Sequence, residues 1–312
     1  MKVWAVVFSC LFVISLAGLI ISVGVTGVGI ANIIESGNFY IGWSGNITGE
    51  PFEISKTFEE TFDNIEIGVL IARANISVSP DGITRVNYEG NNTSIIFSAE
   101  INGDTLIVRE KGAIFRRGWN WIWGWNSSRS ALGIELPQEF YNKISIELTS
   151  GRLNGELPET DNLHVNITSG SVTLDYNHDN NANHLRSHST SGNITINGFP
   201  SATYDIYLTS GSQQITGLSG SGNIRMTSGT ARVDFAEWNG DLNLRITSGN
   251  ANITVPRGSG ADINFSRTSG SMKYDLDGDS GRLDRSGSVI AGGSNRQRVT
   301  ADLTSGSASI TN

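Results

Sequence analysis

Four histidines, His164, His178, His184 and His188, fall within one short stretch that also holds Asp175 and Asp179. Imidazole and carboxylate together are the donor set of zinc and related metals. The spacings of six and four between the last three histidines fit no ligand motif. The intervening Asn180-Asn181-Ala182-Asn183 reads as a bulging loop, so no metal is expected. A second acidic stretch, Asp275-Leu276-Asp277-Gly278-Asp279, has the density of a calcium loop. Counted from Asp275, an EF-hand needs Gly at its sixth place and Glu at its twelfth, where this chain has Ser280 and Ser286. A solvated acidic turn is the expectation there. The strongest candidate for binding is Arg116-Arg117-Gly118-Trp119-Asn120-Trp121-Ile122-Trp123-Gly124-Trp125. Alternation in an extended chain puts Trp119, Trp121, Trp123 and Trp125 on one face. Three readings stand for them and for Arg116 and Arg117: packing against the body, a membrane-interface contact, or a stacking platform for a sugar or a partner.

No part of the sequence amounts to a catalytic signature. Polysaccharide lyases and hydrolases built on stacked strands need paired carboxylates or a base on one exposed sheet, and no acidic pair is expected in register on adjacent turns. A single cysteine, Cys10, excludes an intrachain disulfide. The net charge of -8, with no Lys/Arg cluster, argues against nucleic acid. No cofactor is implied. Asn-x-Ser/Thr triplets at Asn46, Asn75, Asn166 and Asn193 are what chance supplies in a chain this rich in Asn, Ser and Thr.

The elements that must position any site are set by a recurring phrase. Thr-Ser-Gly begins at Thr149, Thr168, Thr190, Thr209, Thr227, Thr247, Thr268 and Thr304, at steps of 19, 22, 19, 18, 20, 21 and 36 residues. Arg285-Ser286-Gly287 reads as a worn ninth copy that divides the last step into 17 and 19. Apolar residues alternate on both sides of the phrase, as in Leu163, Val165, Ile167 and then Val172, Leu174, Tyr176. Period two with β-branched and aromatic residues means half-buried strands, and a fixed repeat near 19 residues means a solenoid. The fold class is therefore all-β, a single-chain β-helix with two or three short strands per rung. Gly serves each sharp corner, and the Thr and Ser hydroxyls run in ladders up the outside.

Val3 to Ile34 carry no charge, between Lys2 and Glu35. Trp4 to about Val25 is long enough to cross a bilayer as one transmembrane helix; a cleavable signal ending near Gly29-Ile30-Ala31 is the rival. Lys2 keeps the N-terminus in the cytoplasm and places the body outside. The expected organisation is a membrane anchor over 1–34, a tether over 35–56, an irregular β capping region with the Trp-rich segment over 57–143, and the regular repeat over 144–312.

The chain resembles the bacterial and archaeal "putative adhesin" family of membrane-anchored β-strand-repeat proteins, a domain of unknown function. The likeness is carried by the N-terminal apolar segment, the strand ending Leu136-Pro137, and Ile144-Ser145-Ile146-Glu147-Leu148-Thr149-Ser150-Gly151 with its echoes to the C-terminus. It covers roughly residues 57 to 312. The resemblance implies an extracytoplasmic β-solenoid, at times tied to cell-envelope stress systems, and no catalytic residues. The expected function is surface adhesion, scaffolding or envelope-stress-associated binding at the cell membrane; an enzyme on envelope polysaccharide is the alternative. Expected partners are the membrane through the N-terminal helix, and envelope polysaccharide, a lipid surface or a membrane protein, with end-to-end self-association through open strand edges.

Overall fold

The computed structural model describes residues 52–91, 95–112, 130–178, 180 and 182–312. The N-terminal apolar segment and the Trp-rich segment lie outside these residues. Among the described residues there are twenty-five strands, and no helix is long and apolar enough to cross a membrane.

Each regular rung has two strands. The first rung of the repeat is β8 (Tyr141–Leu148) and β9 (Arg152–Leu157); then come β10 (Thr160–Ile167) with β11 (Ser171–Tyr176), and β12 (Ala182–Ser189) with β13 (Asn193–Asn197). They are followed by β14 (Ser201–Leu208) with β15 (Ser212–Leu218), β16 (Ser221–Met226) with β17 (Thr230–Phe235), and β18 (Leu242–Ile246) with β19 (Asn250–Thr254). The first strand of every pair joins a 12-stranded sheet, here sheet I, and the second a 13-stranded sheet, sheet II. Pairing within the stack is parallel and in register. Inward residues such as Leu163, Leu185, Leu174 and Ile196 are fully buried between the sheets. Their alternation is the two-fold period of the sequence made physical.

Thr-Ser-Gly is the three-residue corner that carries the chain from sheet I to sheet II. Its N–H groups donate to the neighbouring rung, Thr168 N to Leu148 O at 2.9 Å and Ser169 N to Thr149 O at 2.8 Å. Its Thr and Ser are exposed at every copy, as the hydroxyl ladders require. Glycine is needed for space as well as for backbone angle. At Gly170 φ is 97°, and an added Cβ would stand 2.2 Å from Gly151 O. The first corner never changes length, so the variation in repeat length lies elsewhere. The 22-residue step places its extra residues between Tyr176 and Ala182, so Ala182 and Asn183, the second half of the expected bulge, are already in β12.

At both ends the chain leaves sequence order. β2 (Asn64–Val69) and β3 (Arg73–Val78) form a complete rung against β8 and β9, although they lack the phrase. β6 (Thr105–Gly112) and β7 (Ser130–Leu136) form the next rung outward, and their connection runs through 113–129. β1 (Phe52–Phe58), β4 (Thr84–Gly90) and β5 (Ile95–Asn102) add antiparallel at this end.

The other end corrects the nine-copy reading. β20 (Ser259–Arg267) and β21 (Ser271–Leu276) form the outermost full rung, and β24 (Asn295–Leu303) with β25 (Ser307–Thr311) returns to fit between them and β18–β19. The worn copy at 285–287 marks no rung; it joins β22 (Asp279–Leu283) to β23 (Gly287–Gly292), antiparallel strands that border β21 and β20. The corner bonds show the same order: Thr304 N donates to Ile246 O, and Thr268 N to Leu303 O. The expected acidic turn is the Asp277-Gly278 hairpin loop between β21 and β22, both residues at positive φ (49° and 82°), as a two-residue turn prefers. Asp277 Oδ1 accepts from Gly258 N at 3.0 Å and Asn312 Nδ2 at 2.9 Å, so its carboxylate ties down the C-terminus.

Candidate binding face

The parallel register turns the repeat into columns. On the outer face of sheet I, the residue two before each Thr forms one column: Glu147, Asn166, His188, Tyr207, Arg225, Arg245, Asp302 and Ser266. The residue four before it forms a second, which includes His164, Arg186, Asp205 and Asn223. Three of the four histidines therefore meet on one surface, carried by β10 and β12.

Their neighbours hold them firmly. Thr203 Oγ1 donates its single proton to Asn183 O at 2.9 Å, so His184 Nδ1, also 2.9 Å away, carries its own proton and donates to Thr203. The His184 Nε2 is 3.9 Å from Asp205 Oδ2, beyond a hydrogen bond, while Asn223 Nδ2 donates to Asp205 Oδ1 at 2.8 Å. The His164 and His184 rings meet edge-on at 6.0 Å. Burial, together with the charges of Lys143, His184 and Arg186, pushes the His164 imidazole down to about 4, and burial beside Arg186 lowers His188 as well. Tyr207 is the centre of the first column: His188 touches its ring edge-on at 6.3 Å, and Arg225 Nη1 donates to its hydroxyl at 3.0 Å with the guanidinium carbon 5.4 Å from the ring centroid. From the core side, buried Gln213 donates to Tyr207 O at 2.7 Å and accepts from Ser187 Oγ at 2.8 Å.

The structure does not gather the four histidines and their aspartates into one cluster. His178 stands apart, following β11 of sheet II, with Nε2 3.1 Å from Leu157 O and its ring 4.8 Å from Tyr176. Asp175 is also on sheet II, Asp179 lies outside the described residues, and no group of three His, Cys, Asp or Glu among the described residues is placed to hold a metal ion.

Sheet II has a different outer face. Its hydroxyls and amides satisfy one another from rung to rung: Ser212 Oγ to Asn193 Oδ1 at 2.9 Å, Ser309 Oγ to Asn252 Oδ1 at 3.0 Å. One expectation fails here. Glu156 and Asp175 do lie in register on adjacent rungs, a separation of ~4.8 Å between their strands. Asn177 Nδ2 donates to Glu156 Oε1 at 3.0 Å and Asn197 Nδ2 to Asp175 Oδ1 at 2.7 Å, so both carboxylates serve the same amide ladder. Neither the candidate arginines Arg116 and Arg117 nor Trp119, Trp121, Trp123 and Trp125 fall within the described residues.

Comparison with known families settles where such a stack of corners belongs. The family model for Toastrack DUF4097 matches residues 62–311, which takes in the β2–β3 rung and both rungs at the C-terminal end. The chain belongs to the Toastrack DUF4097 family. Solved structures similar to this Toastrack chain include a "putative cell adhesion protein" from Clostridium sporogenes ATCC 15579, at 14% identity over 84% of this chain and 99% of that one, with a TM-score of 0.35. A "putative adhesin" from Bacteroides fragilis NCTC 9343 matches at 12% identity over 84% and 97%, with a TM-score of 0.45. A "putative lipid binding protein" from Parabacteroides distasonis ATCC 8503 matches at 14% over 84% and 97%, with a TM-score of 0.39. Overlaps this loose carry no argument about what the chain binds. A search of curated proteins returned no match.

The sequence reading passed over Arg186, Tyr207, Arg225 and Arg245. The signal was there: with the repeats aligned on Thr-Ser-Gly, the places two and four before each Thr spell out the two columns directly.

Proposed function

We propose that the protein is a non-catalytic binding element of the cell surface: a β-solenoid held at the membrane by its N-terminal apolar segment, its body outside the cytoplasm. It acts there in adhesion, scaffolding or envelope-stress-associated sensing. The observation that carries this reading is the outer face of sheet I, where charged, aromatic and amide side chains are displayed in straight columns on a rigid two-sheet frame. A face of this kind presents many weak contacts at once, which suits holding a partner rather than enclosing a substrate. The Trp-rich segment, inserted between β6 and β7, is a second contact in this reading, to a membrane interface or a sugar.

The enzyme reading keeps one specific support, the in-register Glu156 and Asp175. Both carboxylates are bonded to asparagines on an open face, where bulk water is not excluded from a reacting bond. That reading requires Glu156→Gln to abolish turnover of an envelope polysaccharide.

Protease shaving of whole cells, with N-terminal sequencing of the membrane-retained fragment, tests the proposal. The expected result is a clipped repeat region while the retained fragment still begins at Met1 or Lys2. A soluble mature protein beginning near Asn32 would remove the anchor and leave a secreted binder.

A further inference from the structure

We infer that the outer face of sheet I binds a linear acidic polysaccharide, with Arg186, Arg225 and Arg245 as its anion contacts and Tyr207 as its stacking surface. The inference rests on the surface-binding reading above and names the site and the ligand class within it.

Three observations lead there. First, the charge is misplaced for this molecule. The whole chain carries -8, yet between β12 and β18 the outward strand positions hold Arg186, Arg225 and Arg245 against Asp205 alone. Asp205 is already engaged by Asn223. Secondly, none of these cations is held in a close ion pair, although Asp205 stands in register beside Arg186 and Asp302 beside Arg245. Arg186 and Arg245 make no hydrogen bond or ion pair with any described residue, and Arg225 spends its guanidinium only on Tyr207. On sheet II the hydroxyls and amides bond to one another from rung to rung, and its cations Arg232 and Lys273 stand scattered, whereas Arg186, Arg225 and Arg245 gather on three of four successive strands.

The third observation separates ligand classes. The exposed large apolar residues among those described are Ile96, Phe140 and Ile290, and none of them lies on this strip. A lipid surface or a protein partner would want an apolar centre to bury. The strip offers instead what a charged sugar polymer uses: guanidiniums for carboxylates, an aromatic ring for the faces of pyranose rings, and the amides of Asn223 and Asn243 for hydroxyls. Its geometry is linear too. Tyr207, Arg225 and Arg245 occupy successive rungs ~4.8 Å apart, so a chain laid along the solenoid axis meets them in sequence.

The test uses the full-length protein in detergent, with polygalacturonate as the acidic probe, dextran as the neutral one, and phosphatidylglycerol vesicles as the lipid one. The expected result is binding of polygalacturonate that weakens as salt is raised, with little binding of dextran. Changing Arg186→Gln, Arg225→Gln and Arg245→Gln together weakens that binding by about tenfold or more. The sheet II control, Arg152→Gln with Arg232→Gln and Lys273→Gln, leaves it unchanged. Both triple variants should melt with the parent, which separates lost contacts from lost folding. Equal binding by the sheet I variant and the parent overturns the placement. Binding of the vesicles alone, equal binding of dextran, or no binding of any probe overturns the ligand class. Cell shaving reads location without any ligand, so a negative result here with a shaved body rejects this inference and leaves the surface reading intact.

Discussion

Glu110 is an acidic side chain at an inward position of β6, only 7% exposed, where the pattern of the stack calls for an aliphatic one. Its register partners further along are Val69 and Leu148, one step past the Gly68–Arg109 and Gly68–Glu147 pairs. The reason lies in the corner bonds. Each regular corner donates its N–H groups to the corner before it, but the β2–β3 corner has no such neighbour among the described residues, because 113–129 lie outside them. Glu110 Oε2 takes those donors instead, accepting from Leu70, Ile71 and Ala72 N at 2.8, 3.0 and 3.0 Å. Its Oε1 accepts from Tyr88 Oη at 3.0 Å and Ser130 Oγ at 3.2 Å, and burial, with the carboxylate's charge second, pushes the Tyr88 phenol far up. Glu110→Ala strands three backbone donors at once. At 1–3 kcal/mol for a buried unsatisfied group, the expected loss is ~3 kcal/mol or more, against roughly 1 kcal/mol for Tyr88→Phe. Urea unfolding of both variants measures the difference, and equal losses would mean the corner finds water or another acceptor.

Among the elements, the β24–β25 pair is the one whose place in the chain misleads most. It comes last in sequence but sits inside the stack, with β18 and β19 on one side and β20 and β21 on the other. Trp238 helps to lock it there. The indole, 2% exposed, donates from Nε1 to Gly260 O on β20 at 2.8 Å, while Trp238 O accepts from Asn295 Nδ2 at 3.1 Å and Gln297 Nε2 at 3.2 Å on β24. In an ordinary solenoid, trimming the C-terminus shortens the stack by one terminal rung. Here, ending the chain at 294 removes an internal rung, and β20 to β23 lose their parallel ladder to the body. Hydrogen exchange on the truncated protein should show the amides of 259–292 losing protection as one block while β8 to β15 keep theirs. Protection retained across 259–292 would mean that β20 re-pairs directly with β18.

At the scale of the whole molecule, the two sheets share a core but differ in their outer faces: sheet II carries hydroxyl and amide ladders, and sheet I carries columns of histidine, arginine and tyrosine. The histidines of sheet I make the fold sensitive to acid. His164 is held at about 4, so it stays neutral in the folded state while the unfolded chain takes up a proton from ~6.5 downward. The unfolded state thus binds more protons between about pH 6.5 and 4, and stability falls as pH falls through that window. The lowered His188 adds in the same direction. With solvent screening of a half-buried site, His164 contributes about 1–2 kcal/mol of that loss. His164→Asn should flatten the profile of urea midpoint against pH between 6.5 and 4.5, above most carboxylate titration; an unchanged profile would show that the ring is freely hydrated.

Local physics is enough to read the repeat. Alternation of apolar residues determines strands, a constant Thr-Ser-Gly determines a constant three-residue corner, and the period determines stacking, because each of these acts within one rung or between nearest neighbours. Two strands per rung rather than three, and the columns of His188, Tyr207, Arg225 and Arg245, follow once the register is known. What sequence order could not supply is any pairing that skips a rung. The slot taken by β24–β25, the cap made from the apparent ninth copy, and the carboxylate of Glu110 accepting the N–H groups of the β2–β3 corner all depend on which strands meet in space. Those meetings are decided by competition for open sheet edges and unpaired corner N–H groups, which only the assembled stack reveals.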